Sequence, residues 1–139
     1  MINFTSVEIK YNLRNKLSLK KWIKSVLVLE GKRCGDITYV FCDDKYLGKM
    51  NEQYLKHDTL TDIITFDYSE SGVVSGDIFI SIERVKENAE SFNTGFNAEL
   101  GRVMVHGILH LLGYKDKRSS DRKIMRSKED FYLVSFPNL

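Results

Sequence analysis

A chain of 139 residues, 42% apolar and 29% charged, is the size of one ordinary globular domain and long enough to bury a substantial core. No apolar run reaches the ~18 residues a membrane span requires, and Met1 to Lys10 lacks the basic start and apolar middle of a signal peptide, so the chain reads as cytoplasmic. A formal charge of +2 is too near neutral to argue for nucleic acid by itself, and two cysteines, Cys34 and Cys42, make neither a disulfide framework nor a cysteine metal knuckle.

Taken in order, Ile2 to Tyr11 alternates imperfectly (Ile2, Phe4, Val7, Ile9) and reads as a first strand. Ser18 then resembles a helix cap, with Leu19, Trp22, Ile23, Val26 and Leu27 at helical spacing, Trp22 as a core anchor and Gly31 as the stop. Asp36 to Cys42 has the β-branched and aromatic content of a strand, and Asp43 and Asp44 can cap a helix carrying Leu47, Met50 and Tyr54. Thr61 to Tyr68 and Gly76 to Ser81 read as two further strands, joined across Ser69 to Ser75 by a gap short enough for a hairpin. Ser81 caps a helix with Val85 and Ala89 inward, a second helix starts near Ala98, and a last one starts at Ser119 or Ser120 with Ile124, Met125, Phe131 and Tyr132 among its apolar residues. Four strands and about five helices in this order predict an α+β domain over residues 1–139, with a small mixed four-stranded sheet packed with helices. The helix after Ala98 is apolar nearly all round and should be central.

That helix carries the chemistry. His106 and His110 lie four apart, which puts both imidazoles on one face, one turn apart. Gly113 can take the left-handed conformation that ends a helix, so the chain can fold back and bring Asp116 to the same point. Two imidazoles and a carboxylate suit Zn2+, and three protein ligands leave a position for water or substrate, as catalytic sites do. The competing reading is a pair of histidines satisfied by hydrogen bonds near a helix end. The spacing also matches HExxHxxGxxH metallopeptidases, but Gly107 stands where those enzymes carry their glutamate base. Glu99, about two turns earlier, can support a ligand or pair with Arg102. Seven basic residues between Lys115 and Lys128 (Lys115, Lys117, Arg118, Arg122, Lys123, Arg126, Lys128) form either a solvated face or a rim for a polyanion.

The motif HGILHLLGY with Met125 downstream, the stretch NEQYLKHDTLTDIITF and GDIFIS together resemble the YbeY family of bacterial endoribonucleases from about Met50 to Glu129. The resemblance implies a single-domain zinc-dependent hydrolase that cuts single-stranded RNA. It would act in maturation of the 3′ end of 16S ribosomal RNA and in ribosome quality control, with small ribosomal subunit proteins as possible partners. His106 and His110 match the family's first two zinc ligands. The third is usually histidine and here is Asp116, which leaves the site formally +1 rather than +2 and its water less acidic. The arginine the family usually places after the aromatic at Tyr54 is replaced by Leu55, so Lys56 or His57 would have to make its phosphate contact, and a lysine supplies no bidentate fork. Asp62 is the nearest candidate for a general base, with capping of a turn as its other role. The expected mechanism is metal-assisted phosphodiester cleavage, in which zinc polarises a phosphate oxygen, acidifies a water, or both. Two rivals stand beside it: a zinc metallopeptidase-like hydrolase, and a non-catalytic ribosome-binding module whose metal only ties the Gly113 turn.

Overall fold

A computed structural model describes residues 1–55 and 61–139. Their elements run β1 (Ile2–Ser6), α1 (Lys16–Leu29), β2 (Arg33–Cys42), α2 (Asp44–Leu55), β3 (Ile63–Asp67), β4 (Val73–Ser81), α3 (Ile82–Ser91), α4 (Phe96–Leu111) and α5 (Ser119–Leu133). The four strands form one sheet in the order β1-β2-β4-β3, with β1, β2 and β4 parallel and β3 antiparallel to β4. The expected mixed four-stranded α+β architecture is therefore present.

Alternation along the strands divides the core in two. Ile37, Tyr39 and Phe41 of β2 with Ile78 and Ile80 of β4 join the large cluster that includes Leu19, Trp22, Ile23, Val26 and Leu27 of α1 and most of α4. Cys42, Ile64, Phe66 and Phe79 share a smaller cluster with Leu47 and Met50 of α2. Helix α4 lies between the sheet and α5, and Leu100, Val103, Met104, Val105, Ile108, Leu109 and Leu111 are all buried. Its central position follows from that all-round apolar surface. The Tyr39 hydroxyl donates to the Met104 carbonyl at 2.9 Å and so fixes α4 against β2 just before the first histidine. Trp22 is the anchor its sequence context suggests, with its indole N–H donating to the Tyr132 carbonyl at 2.9 Å and its ring edge-on to Phe136.

Several details differ from the sequence expectation, among them the starts of β2 at Arg33 rather than Asp36 and of β4 at Val73 rather than Gly76. The first strand ends at Ser6 rather than Tyr11, because Glu8 takes a positive φ of 62° that no strand accommodates. Helix α1 begins at Lys16 without a cap from Ser18, and the preceding residue is Asn15 in the left-handed region. On α5 the buried positions are Met125, Glu129 and Tyr132, so Ile124 and Phe131 are surface residues and a carboxylate occupies the inward stripe. No helix among the described residues is long and apolar enough to cross a membrane.

Candidate metal centre and its cleft

The site grows from the end of α4. Leu112 closes the helix, Gly113 follows at φ 101°, the Gly113 N–H donates to the His110 carbonyl, and the Tyr114 N–H donates back to the Leu109 carbonyl, both at 3.0 Å. This pair of bonds is the left-handed glycine stop expected from the sequence. It reverses the chain so that Asp116 returns to the histidines. The Nε2 atoms of His106 and His110 are 2.9 Å apart, and Asp116 Oδ2 lies 3.3 Å from each.

Those three distances test whether a metal fits. Ligand bonds of ~2.0–2.1 Å directed tetrahedrally separate neighbouring donors by ~3.3 Å, so the triangle is already close to the size a zinc ion requires. His106, His110 and Asp116 form the one group of metal-type donors found among the described residues. Core histidines would turn inward, but the side chains of His106, His110 and Asp116 are 21%, 26% and 40% exposed, and His106 and Asp116 line a cleft.

The supports behind the histidines settle which nitrogen each presents. Glu129 Oε2 accepts from His106 Nδ1 at 2.6 Å, which leaves Nε2 as the free ring nitrogen facing the triangle. Glu129 is itself buried, and its other oxygen accepts from Arg102 Nη1 at 2.8 Å while Arg102 Nη2 binds Asp130. Arg102 is thus committed to α5 rather than to Glu99 as a helix partner. His110 likewise turns its Nε2 to the cluster, 2.9 Å from that of His106.

Charge follows the same geometry. Burial opposes a charge on His106, yet the Glu129 carboxylate, with Asp116 and Asp62 behind it, holds its proton affinity above the ordinary imidazole value. Burial and the neighbouring His106 push His110 the other way. Burial also raises Glu129, but its bonds to His106 and Arg102 outweigh that and keep it below the usual carboxylate range.

The cleft has a volume of about 350 Å³. Asn88 of α3 and Phe92 at its C-cap form one wall, Arg122, Met125 and Arg126 of α5 another, and His106, Asp116 and Asp62 lie along it. Asp62 precedes β3, its carbonyl accepts from the Ser81 N–H at 3.0 Å, and its carboxylate meets Asn88 Nδ2 at 3.5 Å. Burial raises the Asp62 pKa, although the charge of His106 partly offsets this. The fold therefore brings Asp62 to the same cleft as His106 and Asp116. Lys56 and His57 lie outside the described residues. Lys128 leaves the basic rim, since its ammonium binds Glu30 at 3.1 Å. Glu129 was missed from the sequence, where its signal was a carboxylate at the i+4 position of the Met125 and Tyr132 stripe.

Fold and site together define an α+β protein with three metal-type donors at the mouth of a cleft that has acidic and basic walls. The family described as Endoribonuclease YbeY matches residues 3–137. Endoribonuclease YbeY of Flavobacterium johnsoniae is 53% identical over 136 residues, covering 98% of this chain and 97% of that protein. The protein of the same name from Flavobacterium psychrophilum is 54% identical over 136 residues, with 98% and 96% covered. The solution structure of TM1509 from Thermotoga maritima superposes with a TM-score of 0.65 at 27% identity, covering 97% of this chain and 88% of that one. The chain belongs to the endoribonuclease YbeY family.

The exchange at Asp116 gives a direct check on the triangle. Asp116→His should keep metal binding, because imidazole and carboxylate both suit zinc, whereas Asp116→Ala should weaken it by about 10-fold or more. Equal metal content in the two variants and the parent, measured after dialysis, removes Asp116 from the ligand set.

Proposed function

We propose that this chain is a single-strand-specific endoribonuclease of one domain, using a zinc ion held by His106, His110 and Asp116 in metal-assisted phosphodiester cleavage. Its place is the cytoplasm, in maturation of the 3′ end of 16S ribosomal RNA and in ribosome quality control, alongside small ribosomal subunit proteins. The observation that carries the reading is the donor triangle of 2.9, 3.3 and 3.3 Å opening on a cleft with arginines on the facing wall. Membership of an endoribonuclease family supplies the reaction class.

A zinc ion in that triangle supplies a Lewis acid for a phosphate oxygen and lowers the pKa of a coordinated water. The chain's own groups do the rest. Glu129 holds the His106 imidazole with its Nε2 towards Asp116 and His110. Asp62, a carboxyl of raised proton affinity in the same cleft, is the group to accept the proton of the attacking oxygen. Arg122 and Arg126 hold the RNA backbone, with Lys56 or His57 as further candidates for the phosphate contact. Exposed Phe92, 65% accessible at the cleft, offers a ring on which a splayed base can stack, which suits single strands.

Cleavage of a single-stranded RNA by the purified protein, with and without chelator and with metal content measured on the same sample, tests the reading. Chelator-sensitive cutting is the expected result. Arg126 forms no ion pair among the described residues and is exposed, so Arg126→Ala should weaken RNA binding several-fold without unfolding the chain. The slope of log affinity against log salt should fall by about 0.7 for one lost phosphate contact to a single strand. An unchanged slope would take Arg126 out of the RNA path.

The peptidase alternative meets a steric obstacle. A Cβ on Gly107 would lie 2.8 Å from Ile78 Cγ2 and 2.9 Å from Ile63 Cδ1, so this side of α4 is pressed onto the sheet. A glutamate base has no room there.

A further inference from the structure

We infer that Glu30, at the C-terminal end of α1, is a positioning residue for the His106, His110 and Asp116 cluster, acting through Tyr114 on one side and α5 on the other. The inference rests on the metal reading above. Glu30 touches none of the three donors. Its carboxylate, with 11% of its side chain exposed, accepts from the Tyr114 hydroxyl at 2.6 Å, from the Tyr132 hydroxyl, and from Lys128 Nζ at 3.1 Å.

Each of those donors belongs to a support of the site. Tyr114 lies between the second and third ligands of the chain and is held at two points: its N–H on the Leu109 carbonyl and its hydroxyl on Glu30. Its N–H bond to Leu109 closes the turn that follows His110, and its backbone begins the two-residue step to Asp116. Lys128 and Tyr132 flank Glu129 on α5, and Glu129 fixes His106. One carboxylate therefore braces both the turn that carries the chain from His110 to Asp116 and the helix whose Glu129 holds His106. Lys128 also sits 5.7 Å over the Tyr114 ring, so the two arms touch each other as well as Glu30.

Outer partners of metal ligands are typically worth ~10–100-fold in metal affinity, and a support one step further out belongs at the low end of that range. Glu30→Gln keeps the shape but can no longer accept from two hydroxyls and an ammonium at full strength, and Tyr114→Phe removes one hydroxyl only. Zn2+ titrated into the full-length protein in competition with a chromophoric chelator reads the affinity without reference to activity. Both variants should bind about 10-fold more weakly than the parent. The double variant should bind no worse than the weaker single one, because the two changes break the same link.

A merely structural Glu30 would lower the melting temperature and leave the affinity of the folded protein unchanged, and that result overturns the inference while leaving the metal site standing. Fully additive losses in the double variant overturn the route through Tyr114. A parent protein that takes up no Zn2+ removes the metal reading, and this inference with it.

Discussion

His110→Ala is expected to abolish chelator-sensitive RNA cleavage while the chain stays folded and still binds RNA. The side chain is one vertex of the donor triangle, and it is 26% exposed and outside the buried set of α4, so alanine removes a donor without opening the core. Alanine also favours the helix at that position. Two remaining donors cannot hold a zinc ion in a catalytic geometry, and the Lewis-acid contribution of several kcal/mol corresponds to a loss on the order of 10³-fold or more in rate. Circular dichroism, RNA affinity and cleavage rate measured together decide it. Unfolding in place of selective loss of rate would favour a metal that only ties the Gly113 turn, and retained cleavage would sink the hydrolase reading.

Gly107→Glu, the substitution that completes an HExxH sequence, is expected to destabilise the protein severely and to confer no peptidase activity. The obstacle is the sheet, not the motif. Branched carbons of Ile78 and Ile63 stand at 2.8 and 2.9 Å from the place of a Cβ, closer than carbon atoms approach in folded proteins. Even alanine there should cost ~1–3 kcal/mol through overpacking. A glutamate adds an uncompensated charge among isoleucines, several kcal/mol more, which is of the order of a domain's whole stability. Thermal melting measures this. A variant that melts near the parent and cuts casein in a zinc-dependent way would overturn both the packing argument and the choice of nuclease over peptidase.

Much of this was legible in the sequence, and the reasons differ by element. The convergence of three donors could be read because helical periodicity and one glycine place His106, His110 and Asp116 with few degrees of freedom. The helix cap at Ser81 and the inward Val85 and Ala89 follow from equally local rules, and the structure has Ser81 Oγ accepting from the Arg84 N–H. The order β1-β2-β4-β3 was not legible, because it depends on which strands pair across long separations. Glu129 was hidden for a related reason. Nothing in the neighbourhood of a lysine- and aspartate-flanked carboxylate says that a helix from 23 residues earlier presents it with an imidazole. The wrong start of α1 has a local cause, since Asn15 rather than a serine occupies the cap and does so with a left-handed backbone. Similarly, Lys128 looked like part of a continuous basic band until the fold brought Glu30 to it.

The three donors sit on two kinds of support. His106 and His110 are rooted in a helix walled by isoleucines, leucines and valines, whereas Asp116 is carried by a turn whose side chains border solvent. Drift in sequence is accordingly cheap at the third vertex and prohibitive at the first two. Homologous chains should be free to trade imidazole for carboxylate at that corner, tuning the net charge of the centre and its taste in divalent ions, while the helix beneath keeps its pair of histidines.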